Sequence, residues 1–260
     1  MKAVQIVRNT NKPNIDAFEA EVKKKLNSLG IIHDCGKEQA EAIIVLGGDG
    51  TILPLAGSEK PLLGINLGHT GYMAELEKDE LDSLNALVSN EFIIEKRMML
   101  DIYLIKSGNE KYFESVLNEA VLSKGAVSHM IDIELTSCGK SVSVYSADGL
   151  IVATPTGSSA YSMAAGGPII DPRLEVICIT PVCSHSLLSS RPLIFPPDEE
   201  IELRFLPTRG KKAFLSADGR KTVEIDENTG VKIIRSEKTT KLIRIKGHTF
   251  CDTLYRKLSK

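Results

Sequence analysis

The chain opens with short apolar runs separated by an amphipathic stretch. "AVQIV" (3–7), "AIIVL" (42–46) and "LLGINL" (62–67) are too short for buried helices and read as buried strands. Between the first two, "NIDAFEAEVKKKLNSLG" (14–30) places Phe18, Val22, Leu26 and Leu29 on one helical face, with Gly30 suited to the C-terminal stop. Leu81, Leu84, Leu87 and Val88 mark a second amphipathic helix. Strand and helix in alternation predict a Rossmann-like α/β fold, a parallel sheet with helices outside it.

From about Phe92 the pattern alternates with a period of two. "MIDIELTS" (130–137) and "KSVSVYS" (140–146) flank "CGK", a hairpin signature. "IELRFLP", "KAFLSADG", "VKIIRS" and "KLIRIK" continue as strands. The expected organisation is an α/β domain over residues 1–100 and a β-rich domain over 101–245. A closing segment, 246–260, carries Phe250, Leu254 and Leu258 on one face of a short helix. That helix cannot bury its face alone and is expected to pack back on the first domain.

Composition adds exclusions. The 260 residues are 42% hydrophobic and 25% charged, with a net charge of −2, so nothing points to nucleic acid or a membrane surface as partner. Five scattered cysteines without a CxxC pair suggest reduced thiols and a cytoplasmic protein. "MKAVQIVRN" reads as a strand rather than a signal peptide, and no apolar run reaches the length of a bilayer.

The candidate chemistry begins at "IIVLGGDGTIL" (43–53). A glycine-rich turn after a buried strand can aim backbone N–H groups at phosphate, so Gly47, Gly48, Gly50 and Thr51 fit a phosphate cradle. It matches neither GxGxxG nor GxxxxGK[ST], and read alone it is equally a plain Asp-Gly turn. Asp49 alters that balance. A carboxylate beside phosphate is repelled unless it holds a metal or accepts a proton, and phosphoryl transfer requires both roles.

Four further stretches stand out. Asn118 and Glu119 adjoin inside an apolar strand-like run, where successive side chains point to opposite faces. They read as a strand end or bulge, or as contacts to a base, sugar or metal. "TPTGSSAYSMAAGGP" (154–168) concentrates hydroxyls and small residues around Tyr161, either a tightly packed small-residue helix or a ligand surface. In "NLGHTGYM" (66–73), Tyr72 stacks on a ring or merely packs. His69 and His185 show no metal spacing, and no metal-binding residues are assigned. Asp-Gly recurs at Asp148 and Asp218; "SADGR" (216–220) reads as a hairpin turn.

In order, "GGDGTIL", "NLGHTGYM", "LNEAVL", "DGLIVATPTGSSAYSMAAGGPII" and "SRPLIFPP" resemble the NAD kinases from about Val45 to Arg220. "GGDGT" alone is shared with diacylglycerol and sphingosine kinases; "NE" together with "TPTGSSAYSMAAGGP" is more specific. The resemblance implies phosphorylation of the 2′-hydroxyl of the adenosine ribose of NAD to give NADP. ATP or polyphosphate is the implied donor, with a divalent metal, Mg²⁺ foremost. It implies an N-terminal α/β domain, a β-rich C-terminal domain with the ligand between them, and a homodimer or homotetramer.

Carried over by motif, Asp49 is the implied acid that takes the proton from the 2′-hydroxyl, and the loop around it is the donor-phosphate site. Asn118 and Glu119 are implied NAD contacts, and Asp148 contacts the nicotinamide end across a subunit interface. Thr156, Ser159, Ala160, Tyr161 and Ser162 belong to the stretch that holds the adenosine, and Tyr72 lines the same pocket. Ser159 stands where many members have Thr, Arg220 where many have Gln, and Ser146 where a basic residue or histidine is common. Two other readings remain: a lipid or small-molecule kinase sharing the glycine-rich loop, and a non-catalytic dinucleotide sensor.

Overall fold

The computed structural model describes residues 1–33, 35–36, 38–68, 71–125, 129–185, 190–206, 212–247 and 249–258, with only the backbone of 256–258. His69 and the side chain of Leu258 therefore lie outside the described residues. Two compact units divide the chain, 1–97 with 239–260 and 98–238.

The first unit begins β1 (Val4–Arg8), α1 (Ile15–Ser28), β2 (Ala42–Leu46), α2 (Asp49–Ile52), β3 (Leu62–Asn66), β4 (Leu76–Glu77) and α3 (Ala86–Ser89). β1, β2 and β3 pair in parallel, with β4 parallel to β3. Their apolar runs are continuous because both faces are covered; β2 and β3 are buried at every position. α1 lays Ile15, Phe18, Val22 and Leu26 on the core at the predicted spacing, and Gly30 follows at φ +70°. The stretch around Leu84 differs from the amphipathic helix the spacing predicts. Leu81–Asn85 is a 3₁₀ turn leading into α3, and the tighter winding leaves Val88 exposed.

β5 (Ile93–Lys106) carries the chain into the second unit. There follow β6 (Asn109–Val116), β7 (Glu119–Lys124), β8 (Ile131–Ser137), β9 (Lys140–Ala147), β10 (Gly149–Ala153) and α4 (Tyr161–Ala164). β11 (Ile177–Val182), β12 (Leu193–Phe195), β13 (Ile201–Leu206), β14 (Ala213–Ala217) and β15 (Lys221–Ile225) complete the unit's own strands. Six of these form one antiparallel sheet in the order β12-β11-β10-β7-β14-β15. β8 pairs with β9 and β13, and the predicted hairpin turns at Cys138 and Gly139, both at positive φ. One core joins Leu122, Leu150, Val152 and Ile179 of the six-stranded sheet to Ile133, Leu135, Ile201 and Leu203 of the β8–β13 pair. On the sheet's other face Val121, Ile151 and Cys178 pack with Ile170, so β10 is buried throughout.

β16 (Thr229–Arg244) returns the chain to the first unit, where Leu242 pairs with Leu62 of β3. "VKIIRS" and "KLIRIK" are thus one continuous strand, and the polar residues between them fall where the chain passes from one unit to the other. α5 (Phe250–Leu258) closes the chain. Thr249 and Asp252 cap its start reciprocally: each backbone N–H bonds the other side chain, at 2.8 and 3.2 Å.

Candidate active site

In the first unit the chemistry gathers at the carboxyl ends of the parallel strands, where open α/β sheets bind ligands. β2 ends in Leu46 and the chain turns through Gly47 and Gly48 into the single turn of α2, which starts at Asp49. Gly47 is buried, Gly48 and Asp49 are half-buried, and Gly50 is exposed, so the loop surfaces at Gly50 and Thr51. The Asp49 carboxylate accepts from two successive backbone N–H groups, Tyr72 at 2.7 Å and Met73 at 3.0 Å. Gly71 makes this possible. A Cβ there would lie 2.0 Å from Asp49 Oδ1, so any side chain would expel the carboxylate. The phenol of Tyr72 is pushed up, first by burial and then by the charge of Asp49.

Neighbouring residues hold this arrangement. Arg244 at the end of β16 donates to the Met73 carbonyl (3.0 Å) and to Glu75 (3.2 Å), and pairs with Glu95 (2.5 Å). Glu75, whose side chain is 7% exposed, also accepts the N–H groups of Ile245 and Lys246. At the end of β3, Asn66 bonds the carbonyl of Gly68 and Glu77. Lys12, in the loop after β1, brings its Nζ to within 3.3 Å of the position a Gly68 Cβ would occupy. It adds a cation to the strand ends that carry the glycine loop. Nothing in its local sequence marks it; only its place after the first parallel strand could have.

In the second unit the focus is the turn 117–119. β6 ends at Val116 and β7 starts at Glu119, so Asn118 and Glu119 stand at a strand boundary. Asp218, with a fully buried side chain at φ +48° in the β14–β15 turn, accepts all three N–H groups: Leu117 (3.0 Å), Asn118 (2.8 Å) and Glu119 (3.1 Å). From the other side Thr154 Oγ1 donates to the Leu117 carbonyl (2.5 Å), and the Thr154 N–H to that of Asn118 (2.9 Å). From the sequence alone Asp218 reads as a plain hairpin turn. Its partners lie about a hundred positions away, where no local pattern reaches.

Glu119 is 7% exposed, and its Oε2 is shut off from solvent without a hydrogen-bond partner. Burial, and then the negative charge of Asp218, push its carboxyl up to about 7. Asp218 is raised as well, by burial; the three N–H groups and Arg220, 3.5 Å away, oppose that rise without cancelling it. Of the two carboxyls, Glu119 is raised the more.

The hydroxyl-rich stretch after β10 uses most of its hydroxyls internally. Ser158 donates to the Pro155 carbonyl (2.6 Å) and accepts from the Ile170 N–H (2.9 Å). Ser159 donates to the Thr156 carbonyl, and Ser162, fully buried, bonds Thr180 at 2.8 Å. Thr156 is buried too. Ser159 and Ala160 are half-buried, and Tyr161 is 46% exposed. Asp148 sits at the opposite end of β10, paired with Lys124 at 2.7 Å. The five residues of β10 separate it from Thr154, six steps or about 20 Å, so the second unit does not bring it to the Asn118–Glu119 turn. Among the described residues, no group of three or more His, Cys, Asp and Glu could hold a metal ion, and no helix is long and apolar enough to cross a membrane.

Two family models match this chain, the ATP-NAD kinase N-terminal domain over residues 5–92 and the ATP-NAD kinase C-terminal domain over 117–245. The chain belongs to the NAD kinase family. An NAD kinase of Natranaerobius thermophilus is 39% identical over 89% of this chain and 82% of its own length. One from Caldanaerobacter subterraneus subsp. tengcongensis is 40% identical over 85% of this chain and 80% of its own. Among solved structures, a yeast NADH kinase complexed with NADH shares the fold at a TM-score of 0.87, with 22% identity over 100% of this chain and 88% of that one. An NAD kinase from Archaeoglobus fulgidus in complex with ATP superposes at 0.76, with 25% identity over 95% and 94%. The family matches take in the Asp49 loop, the Asn118–Glu119 turn, the stretch after β10 and Asp218.

Proposed function

We propose that this chain transfers the terminal phosphoryl group of ATP to the 2′-hydroxyl of the adenosine ribose of NAD, giving NADP. The observation that carries this reading is the half-buried Asp49 carboxylate, held by two backbone N–H groups beside a glycine loop at the mouth of parallel strands. Each of its oxygens keeps a lone pair for a proton, as a general base requires. The attacking hydroxyl loses its proton to Asp49, its oxygen bonds to the terminal phosphorus, and the bond to ADP breaks. In the loop Gly47–Thr51 the Ile65 and Gly48 carbonyls take the N–H groups of Gly47 and Thr51, which leaves those of Gly48, Asp49 and Gly50 for the donor phosphates; Lys12 lies near Gly68, at the end of the neighbouring strand. The kinases at about 40% identity support NAD as acceptor, and the ATP-bound archaeal relative supports ATP as donor; inorganic polyphosphate is the alternative donor.

A divalent ion, Mg²⁺ by its chemistry, fits this site. It would arrive on the donor's phosphates and need only one or two protein carboxylates, of which Asp49 is the nearest to the loop. When bound it spreads charge over the transferring group. Asn118 and Glu119 are read as acceptor contacts, Tyr161, Ser159 and Ala160 as the accessible part of the adenosine surface, and Asp148 as a contact from a second copy in a homodimer or homotetramer. The absence of a helix able to cross a membrane among the described residues is compatible with a cytoplasmic setting.

The deciding experiment is NADP formation from NAD, magnesium and ATP, read by an NADP-specific dehydrogenase. Product that requires both NAD and ATP supports the reading. No product with ATP or polyphosphate, while NAD still binds, overturns it in favour of a sensor. Lys12→Ala is expected to raise the KM for ATP roughly tenfold, the loss of one charge-assisted contact, with the KM for NAD little changed. Initial rates at varied ATP check it; an unchanged KM removes Lys12 from the donor site.

A further inference from the structure

We infer that Asp218 is a positioning residue for the acceptor site: it fixes the Asn118–Glu119 turn and keeps the Glu119 carboxyl neutral, so that Glu119 meets the dinucleotide as a hydrogen-bond donor. This rests on the reading that NAD is the acceptor. Three observations carry it. Asp218 accepts three successive N–H groups, which fixes the backbone of both candidate contacts at once. Those donors and Arg220 oppose the rise that burial gives Asp218, and so favour a negative charge beside Glu119. Glu119 itself has a buried oxygen with no donor facing it, and an ionised carboxylate there would be stranded without compensation.

The other groups around Glu119 do not offset this. β10 and the turn after it hold no ionisable residue between Gly149 and Ser159, and β14 holds none between Ala213 and Ala217. The β14–β15 turn supplies Asp218 and Arg220, and Arg220 lies against Asp218. On β6 the ionisable side chain nearest the turn is Glu114, which is paired with Lys221. Among the described residues Glu119 therefore lacks a cation that would favour its ionised form, in agreement with its upward shift.

The consequence concerns what Glu119 can recognise. A neutral carboxyl offers one O–H to a lone pair, such as a ribose oxygen or a ring nitrogen. It also spares the pyrophosphate of NAD, and the 2′-phosphate that forms, from a second negative charge beside Asp218. An ionised Glu119 would instead seek a hydroxyl proton and repel both.

The test is the affinity of the intact protein for NAD, measured by calorimetry from pH 5.5 to 8.5. Wild type is expected to bind with constant affinity in acid and to weaken toward tenfold per pH unit above about 7, as one proton is lost. Glu119→Gln, which cannot ionise, is expected to show no break across this range, whatever its absolute affinity. Asp218→Asn, having lost the neighbouring charge, is expected to move the break to lower pH as well as to weaken binding; a purely structural role would weaken binding without moving the break. Affinity that is flat or rises above pH 7 overturns the inference, as does a break near pH 7 that persists in Glu119→Gln. Should the variants fail to fold, ¹³C-carboxyl NMR of the wild type decides: a Glu resonance titrating near 7 supports it, and none doing so overturns it. No NAD binding by wild type at any pH overturns instead the acceptor reading beneath it.

Discussion

Asp49→Asn is expected to lower turnover by roughly 10²–10⁴-fold while NAD still binds. The carboxylate sits between two demands. Two backbone N–H groups fix it, and its remaining lone pairs are what a hydroxyl proton would reach. An amide of the same shape keeps one acceptor oxygen and turns two hydrogens toward the other N–H. One hydrogen bond is therefore lost along with the base. The structural part of the loss is about 1–2 kcal/mol, which lowers the melting temperature by only a few degrees in a chain of this size. The catalytic part is several times larger and appears in kcat. Asp49→Glu separates the two further: it retains a base but pushes it outward, and a misplacement of about 1 Å can cost 10²-fold. Single-turnover NADP formation and NAD affinity, measured on both variants, check the prediction. Turnover of Asp49→Asn within tenfold of wild type removes Asp49 from the role of base.

Asp49 and its glycine loop were legible as candidates in the sequence for a local reason. A buried strand, three glycines and an acid are contiguous, and contiguous residues at a strand end keep their relation in any parallel sheet. The same holds for α1, whose four apolar positions recur at helical spacing, and for the β8–β9 hairpin, announced by its turn. Other features depend on residues far apart in the chain. Asp218 was indistinguishable from any Asp-Gly hairpin until folding set it under the N–H groups of 117–119, about a hundred positions earlier. Lys12 and Arg244 are ordinary basic residues until the parallel strands align. In the stretch after β10 composition alone leaves two readings open, a packed small-residue helix and a ligand surface. Its serines and threonines suggested a surface rich in ligand contacts, yet Thr154, Ser158 and Ser162 are buried and bonded to the protein itself. Those hydroxyls replace water for a backbone that must turn sharply in the interior. What they shape from below is the short exposed ledge at Tyr161.

Gly157→Ala is expected to be the most damaging single methyl in the second unit. A Cβ there would lie 2.1 Å from the Asn118 carbonyl oxygen and 2.5 Å from its carbon, both backbone atoms. A flexible side chain could swing away; this carbonyl cannot. It accepts the Thr154 N–H at 2.9 Å, its neighbour Leu117 accepts the Thr154 hydroxyl, and Asp218 holds the N–H groups of the same three residues. The turn is thus held on both sides with no slack for a methyl. Overpacking of this kind costs about 1–3 kcal/mol or more, a fall of roughly 3–10 °C in apparent melting temperature. Relief comes only by moving the 117–119 backbone or by withdrawing the 154–157 turn, and either displaces Asn118 and Glu119 together. NAD affinity is therefore expected to fall at least tenfold, and the loss persists well below the melting temperature. ATP affinity, which on the proposed reading depends on the Gly47–Thr51 loop of the other unit, is expected to stay within about threefold. Thermal melts beside separate NAD and ATP titrations distinguish this from general unfolding. Equal losses for both ligands, or a variant as stable as wild type, would show that the close approach of Gly157 to Asn118 is not what positions the acceptor contacts.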